Sequence, residues 1–288
     1  MHLSAVAAFL TPYEPSPTVW LLCAAALGLF MLGLWRLGRR GQRPSLPATT
    51  AFRAGLALIY VSLQTRADYY AQHLFFLHRL QHLVLHHLGP FLIAWSAPQV
   101  VFAAALGRWA WARRMPGQAL VGRAYRAVQQ PAVAGALFVG LIWLWLIPEL
   151  HPAAMLSLPL YNLMNWGMAL DGLLFWWMVL NMTAAGESRA RHVGARLLVL
   201  ALIMLPQILI GSLIAMSRQD LYPIYALCGR LLPIDPMTDQ QLGGLTTWIP
   251  AAMMSVAGAL VLVWRWLIAS ERASAEPVLI PTGPRSGS

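Results

Sequence analysis

Seven apolar segments, most of them near the length that crosses a bilayer, leave this chain little choice of fold. A crossing helix needs about 20 mainly apolar residues, and in hydrocarbon every backbone N–H and C=O must be bonded internally. The segments run Thr18–Leu37, Phe52–Arg66, Tyr70–Ala97, Pro131–Pro148, Leu160–Asn181, Ala195–Ser217 and Leu242–Ile268. The expected architecture is all-α, a polytopic bundle of about seven transmembrane helices. The second segment is short and the third long, with Arg66-Ala-Asp68-Tyr-Tyr70 as the only break. Merging them would create one span of about 45 residues, too long for a bilayer. Of the 288 residues, 59% are hydrophobic and 10% charged, which excludes an ordinary soluble domain. Residues 1–270 are expected to form a single transmembrane domain. Residues 271–288, rich in Ser, Pro and Gly, are expected to be a disordered cytoplasmic tail.

All twenty basic residues are arginines, and the formal net charge is +10. In a soluble protein that balance would suggest nucleic acid. Here the arginines cluster at the ends of apolar runs, so the expected partner is membrane lipid and not nucleic acid. Sixteen of the twenty fall between segments one and two, three and four, five and six, or after seven, whereas Glu14, Asp68, Glu149, Asp220, Asp235 and Asp239 fall on the other side. The positive-inside rule then puts the N-terminus outside and the C-terminus in the cytoplasm. No basic region or small-residue cleavage site marks a signal peptide, so the first segment is expected to remain as an anchor. Cys23 and Cys228 form no CxxC motif.

The third segment carries the unusual chemistry. Five of the eight histidines lie in His73-Leu-Phe-Phe-Leu-His78-Arg-Leu-Gln-His82-Leu-Val-Leu-His86-His87. His78, His82 and His86 recur every four residues and so share one helical face. Polar groups at that depth are costly and mark functional sites. Two imidazoles at i and i+4 can hold a metal through facing nitrogens; the plain alternative is hydrogen bonding to neighbouring helices. His87 lies off the stripe, and His73 is near the outer interface. Asp171, mid-span in the fifth segment, has two readings: an ion pair with Arg79, or a partner that fixes a histidine tautomer. Asn162 and Asn165 sit above it. Met164, Met168, Met253 and Met254 lie in the outer halves of segments five and seven, and thioether and imidazole both suit Cu(I). Methionine is also an ordinary packing residue.

Several separated motifs resemble the polytopic CtaG-type cytochrome c oxidase assembly factors of bacteria, a family distinct from the single-span copper chaperones that share the CtaG name. His78-Arg-Leu-Gln81-His82, followed by Gly89-Pro90 and Ala97-Pro98, resembles the family's HMxQH motif and downstream turn. Gly172-Leu-Leu-Phe-Trp-Trp177, Leu221-Tyr-Pro-Ile-Tyr225 and Asp239-Gln240-Gln-Leu-Gly-Gly-Leu-Thr-Thr-Trp248 resemble its other motifs. Three positions depart: Arg79 and Thr247 replace methionines, and Asn165 stands where a histidine is usual. The resemblance implies a multi-pass protein of the bacterial inner membrane that assists oxidase assembly without being an enzyme. It also implies transient binding of Cu(I), with His78, His82, His86 and Met254 as candidate ligands and Gln81, Asp171, Asn165, Asp239, Gln240 and Trp248 in support. The implied partners are subunit I of cytochrome c oxidase and a periplasmic copper chaperone.

Other classes read the histidines differently. A di-iron oxidoreductase needs about eight histidines in several boxes, and His151 and His192 are expected on opposite sides of the membrane. A bis-histidine haem protein needs a second histidine-bearing helix. A transporter would use the stripe as a path, though no internal repeat marks one.

Overall fold

A computed structural model describes residues 10–107, 118–181, 186–227 and 229–275. Cys228 and residues 276–288 of the expected tail lie outside the described residues, while 271–275 continue the last helix. The helices are α1 (Pro17–Gly38), α2 (Leu46–Gln64), α3 (Arg66–His73), α4 (Phe75–His82), a π-helical turn (Leu83–Leu88), α5 (Gly89–Trp95), α6 (Gln99–Leu106), α7 (Gln118–Val128), α8 (Pro131–Trp145), α9 (Leu150–Leu156), α10 (Leu158–Leu180), α11 (Gly186–Met216), α12 (Ile224–Leu227) and α13 (Pro236–Ala275). The all-helical expectation holds. Among the described residues five helices are long and apolar enough to cross a membrane, or up to seven spans if each of two bent pairs counts as one.

The chain between α2 and α5 is broken twice, and both breaks have a local cause. Thr65 is extended (φ −110, ψ −178), accepts a hydrogen bond from Ala67 N at 3.2 Å and donates to Val61 O at 2.7 Å. It therefore closes one helix and caps the next. Leu74 is also extended (φ −143, ψ 125) and offers no cap of its own. Its place is taken by Asp239, whose carboxylate accepts from Phe75 N at 3.1 Å and Phe76 N at 2.9 Å. A carboxylate at a helix N-terminus satisfies orphan donors and complements the helix dipole.

α4, the π turn and α5 then run through the middle of the bundle, in contact with α2, α3, α10 and α13. Two close approaches allow this packing. A Cβ on Gly172 of α10 would strike the His86 backbone. Gly211 of α11 and Gly244 of α13 face each other so that a Cβ on Gly211 would lie 2.8 Å from Gly244 O. Small residues at such crossings let backbones meet in a membrane.

At the arginine-rich end, arginines do more than mark topology. Arg265 donates to Leu180 O at 3.0 Å and to Trp95 O, Arg36 to Ala105 O at 2.6 Å, and Arg196 to Val179 O at 3.3 Å. Each acceptor is a carbonyl near the C-terminal end of a helix, where intrahelical donors run out.

Candidate functional site

α4 carries the site, because its eight residues place His78, Arg79, Gln81 and His82 inside the bundle, all 5% exposed or less. The His78 and His82 ring centroids are 4.3 Å apart, as i,i+4 neighbours on one face should be. His78 is fully buried, and neither of its ring nitrogens has a hydrogen-bond partner. His82 is engaged on both sides. Arg79 Nη1 lies 3.3 Å from His82 Nδ1, and Asn165 Oδ1 lies 3.1 Å from His82 Nε2. A guanidinium only donates, so Nδ1 is the acceptor and Nε2 carries the hydrogen given to Asn165.

A third imidazole completes this level. His151 of α9, fully buried, has its ring centroid 5.2 Å from that of His78. Its Nδ1–H donates to Trp145 O at 2.9 Å, which leaves Nε2 to accept from the Tyr225 hydroxyl at 2.9 Å. Burial holds its pKa down to about 4. The sequence reading placed His151 in an outer loop, on the opposite side from His192. The structure buries it, with its ring against those of Phe75, Tyr222 and Tyr225.

Beside the histidines sits a polar cluster around Asp68, a residue that the sequence placed in the break between two spans. Asp68 accepts from Tyr161 Oη at 2.6 Å, Gln81 Nε2 at 2.7 Å and Gln72 Nε2 at 2.9 Å. Burial pushes its carboxyl upward from the ordinary value, against these three donors, and Glu14 adds to the rise. Asp68, Tyr161, Asn162 and Asn165 line a cleft of about 380 Å³ together with Tyr13 and Glu14. The floor of that cleft is thus one hydrogen bond from His82.

Asp171 does not pair with Arg79. It lies 2.9 Å from His86 Nε2, the alternative in which a carboxylate fixes an imidazole. The reason is depth: Asn165 is level with His82, and Asp171 lies about 9 Å further along α10, level with the next histidine. His86 stacks on Phe138 at 3.9 Å, and Phe138 on Phe175 at 4.0 Å. Below them Phe91 and Trp176 close an apolar cluster. Met254 packs against that cluster and not at the level of His78, whereas Met164 and Met168 share an upper cluster with Phe75 and Tyr225. Asp239 caps α4 and pairs with Arg230. Gln240 ties Leu221 N, Ile214 O and Gln219 O, and Trp248 packs over Gly211. These three residues build the frame around the histidines.

Among the described residues, no group of three or more His, Cys, Asp or Glu side chains is placed to hold a metal ion. The donors that fit a soft monovalent cation are a pair of imidazoles, one of them with both nitrogens unengaged.

The fold and this buried imidazole pair define a polytopic helical membrane protein with an intramembrane polar site. The chain belongs to the cytochrome c oxidase caa3 assembly factor family, whose match covers residues 28–269. No curated protein and no solved structure matches it.

Proposed function

We propose that this chain binds Cu(I) transiently at His78 and His82 and presents it to subunit I of cytochrome c oxidase during assembly. The cation is cargo, and no chemical turnover is involved. The observation that carries this reading is His78, buried completely with both nitrogens unpartnered and a second imidazole 4.3 Å away. A buried polar group without a partner costs about 1–3 kcal/mol, which a bound cation would recover. Two neutral imidazoles are a donor set suited to copper. The cleft at Asp68 and Asn165 supplies access from the arginine-poor end, which the positive-inside rule assigns to the extracytoplasmic side of the bacterial inner membrane. A periplasmic chaperone would deliver copper there.

Cu(I) titration of the detergent-purified protein against a chromogenic chelator tests the site. The parent should hold copper, and the His78→Ala/His82→Ala double variant should lose it. Equal binding by both would end the proposal. In cells, a deletion strain should retain oxidase subunits that lack a copper centre, whereas fully active oxidase would remove the role.

A further inference from the structure

Arg79 is 3% exposed and lies between the two proposed ligands in sequence. Its Nε donates to Thr247 Oγ1 at 3.0 Å, and its Nη1 reaches His82 Nδ1 at 3.3 Å. Among the described residues the ion pairs are His86–Asp171 and Arg230–Asp239, and neither includes it. The guanidinium charge is permanent. Arg79 covers the only lone pair that His82 has free, since the other nitrogen gives its hydrogen to Asn165. A cation bound there would sit within a few ångströms of a fixed like charge, in surroundings that screen poorly.

Resting on the copper reading above, we infer that Arg79 is an internal competitor for the cation: its guanidinium holds the metal-facing lone pair of His82 and must leave before copper binds. Thr247 is the catch. Its hydroxyl donates to Gly243 O at 2.8 Å, which turns its lone pairs toward Arg79. A carrier has to give up its cargo, and a tethered cation that returns to His82 as copper leaves keeps affinity low and release fast. The lever is short, because Arg79 and His82 are three residues apart on one helix.

The test uses full-length protein in detergent and measures Cu(I) affinity by chelator competition. Arg79→Met, similar in length but uncharged and without donors, should bind at least about tenfold more tightly than the parent, since removing a close like charge is worth that much or more. Arg79→Lys, which keeps the charge, should stay within about threefold of the parent. Thr247→Val removes the catch while keeping the charge and should tighten binding by about threefold. Monodisperse elution and unchanged tryptophan fluorescence establish that each variant is folded, and Thr247→Val carries the test if Arg79→Met is not. Affinity no tighter than the parent in both Arg79→Met and Thr247→Val, with His78→Ala still losing copper, would overturn the competitor and leave the copper site standing. If His78→Ala and His82→Ala bind as the parent does, the copper reading itself has failed.

Discussion

Asp239 is a buried carboxylate of α13 whose loss should be costly, because it holds the start of α4. It is fully buried, its two oxygens accept from Phe75 N and Phe76 N, and it pairs with Arg230, whose side chain is 13% exposed. Asp239→Ala strips the cap from α4 and leaves a largely buried guanidinium unpaired. Losing a cap costs about 0.5–2 kcal/mol, and removing one partner of a buried ion pair about 3–5 kcal/mol. Because Arg230 retains some access to water, the lower end applies, and a total of about 3 kcal/mol is expected. Asp239→Asn keeps one acceptor and should cost about 1–3 kcal/mol. The Arg230→Ala/Asp239→Ala double variant should be less destabilised than the sum of its parts by about 1–3 kcal/mol, since the two residues contact each other. Equilibrium unfolding in mixed SDS and dodecyl maltoside micelles, followed by tryptophan fluorescence, gives all three values. A cost below about 1 kcal/mol for Asp239→Ala, or strict additivity with Arg230→Ala, would refute the argument that α4 is held from α13.

Acid should weaken the protein through His151. Its pKa is about 4 in the folded chain against an ordinary 6.5, so between those values the unfolded chain takes up a proton that the folded chain refuses. The contribution is complete above 6.5 and is lost as pH falls toward 4, up to about 3 kcal/mol. His151→Gln should flatten the dependence of micellar unfolding on pH over this window, and an unchanged slope would exclude His151 as its source. Gly172→Ala should cost about 1–3 kcal/mol in the same unfolding assay, since its methyl would meet the His86 backbone; a neutral result would mean α10 can move away freely. Ala97 lies at φ 50, a left-handed conformation that disfavours a side chain. Ala97→Gly should therefore leave the melting temperature unchanged or raise it, and a clear drop would contradict that geometry.

What could be read from the sequence was whatever depends on nearby residues. The apolar runs located the spans, though the structure starts the second at Leu46 and the last at Pro236 and carries the third on into Gln99–Leu106, and the i,i+4 spacing placed His78 beside His82. Asn165 was named as a supporting residue and does meet His82. The break at Leu74 was not legible, because no glycine or proline stands there and its cap arrives from Asp239, 164 residues away. The π turn has one local sign: Pro90 has no N–H for the carbonyl a turn earlier, and Gly89 N bonds instead to Val84 O. His151 was hidden by its prolines, since Pro148-Glu-Leu-His-Pro152 reads as loop punctuation whether or not the loop folds back. Asp68 looked like an interfacial charge because it stands in the short break Arg66–Tyr70 between two apolar runs. Pairing Asp171 with His86 and not Arg79 depends on the relative depth of two helices, which spacing along one chain does not define.

The vertical order of the polar groups bears on how such a site would work. From the arginine-poor end the sequence is an open cleft, then Asp68, Tyr161 and Asn165, then His78, His82 and His151, then His86 with Asp171. At and below that level Phe138, Phe175, Phe91 and Trp176 pack together, with the buried His87 ring 4.9 Å from that of Phe138. A path for ions across the membrane needs polar groups or water on both sides of its deepest site. Among the described residues the side chains packed below His86 are mostly apolar, which makes the open cleft the readier approach to His82. Arrival and departure through that cleft would suit a protein that passes cargo to a neighbour on the same face. An Arg79 that reclaims His82 as the cargo leaves would make departure as easy as arrival.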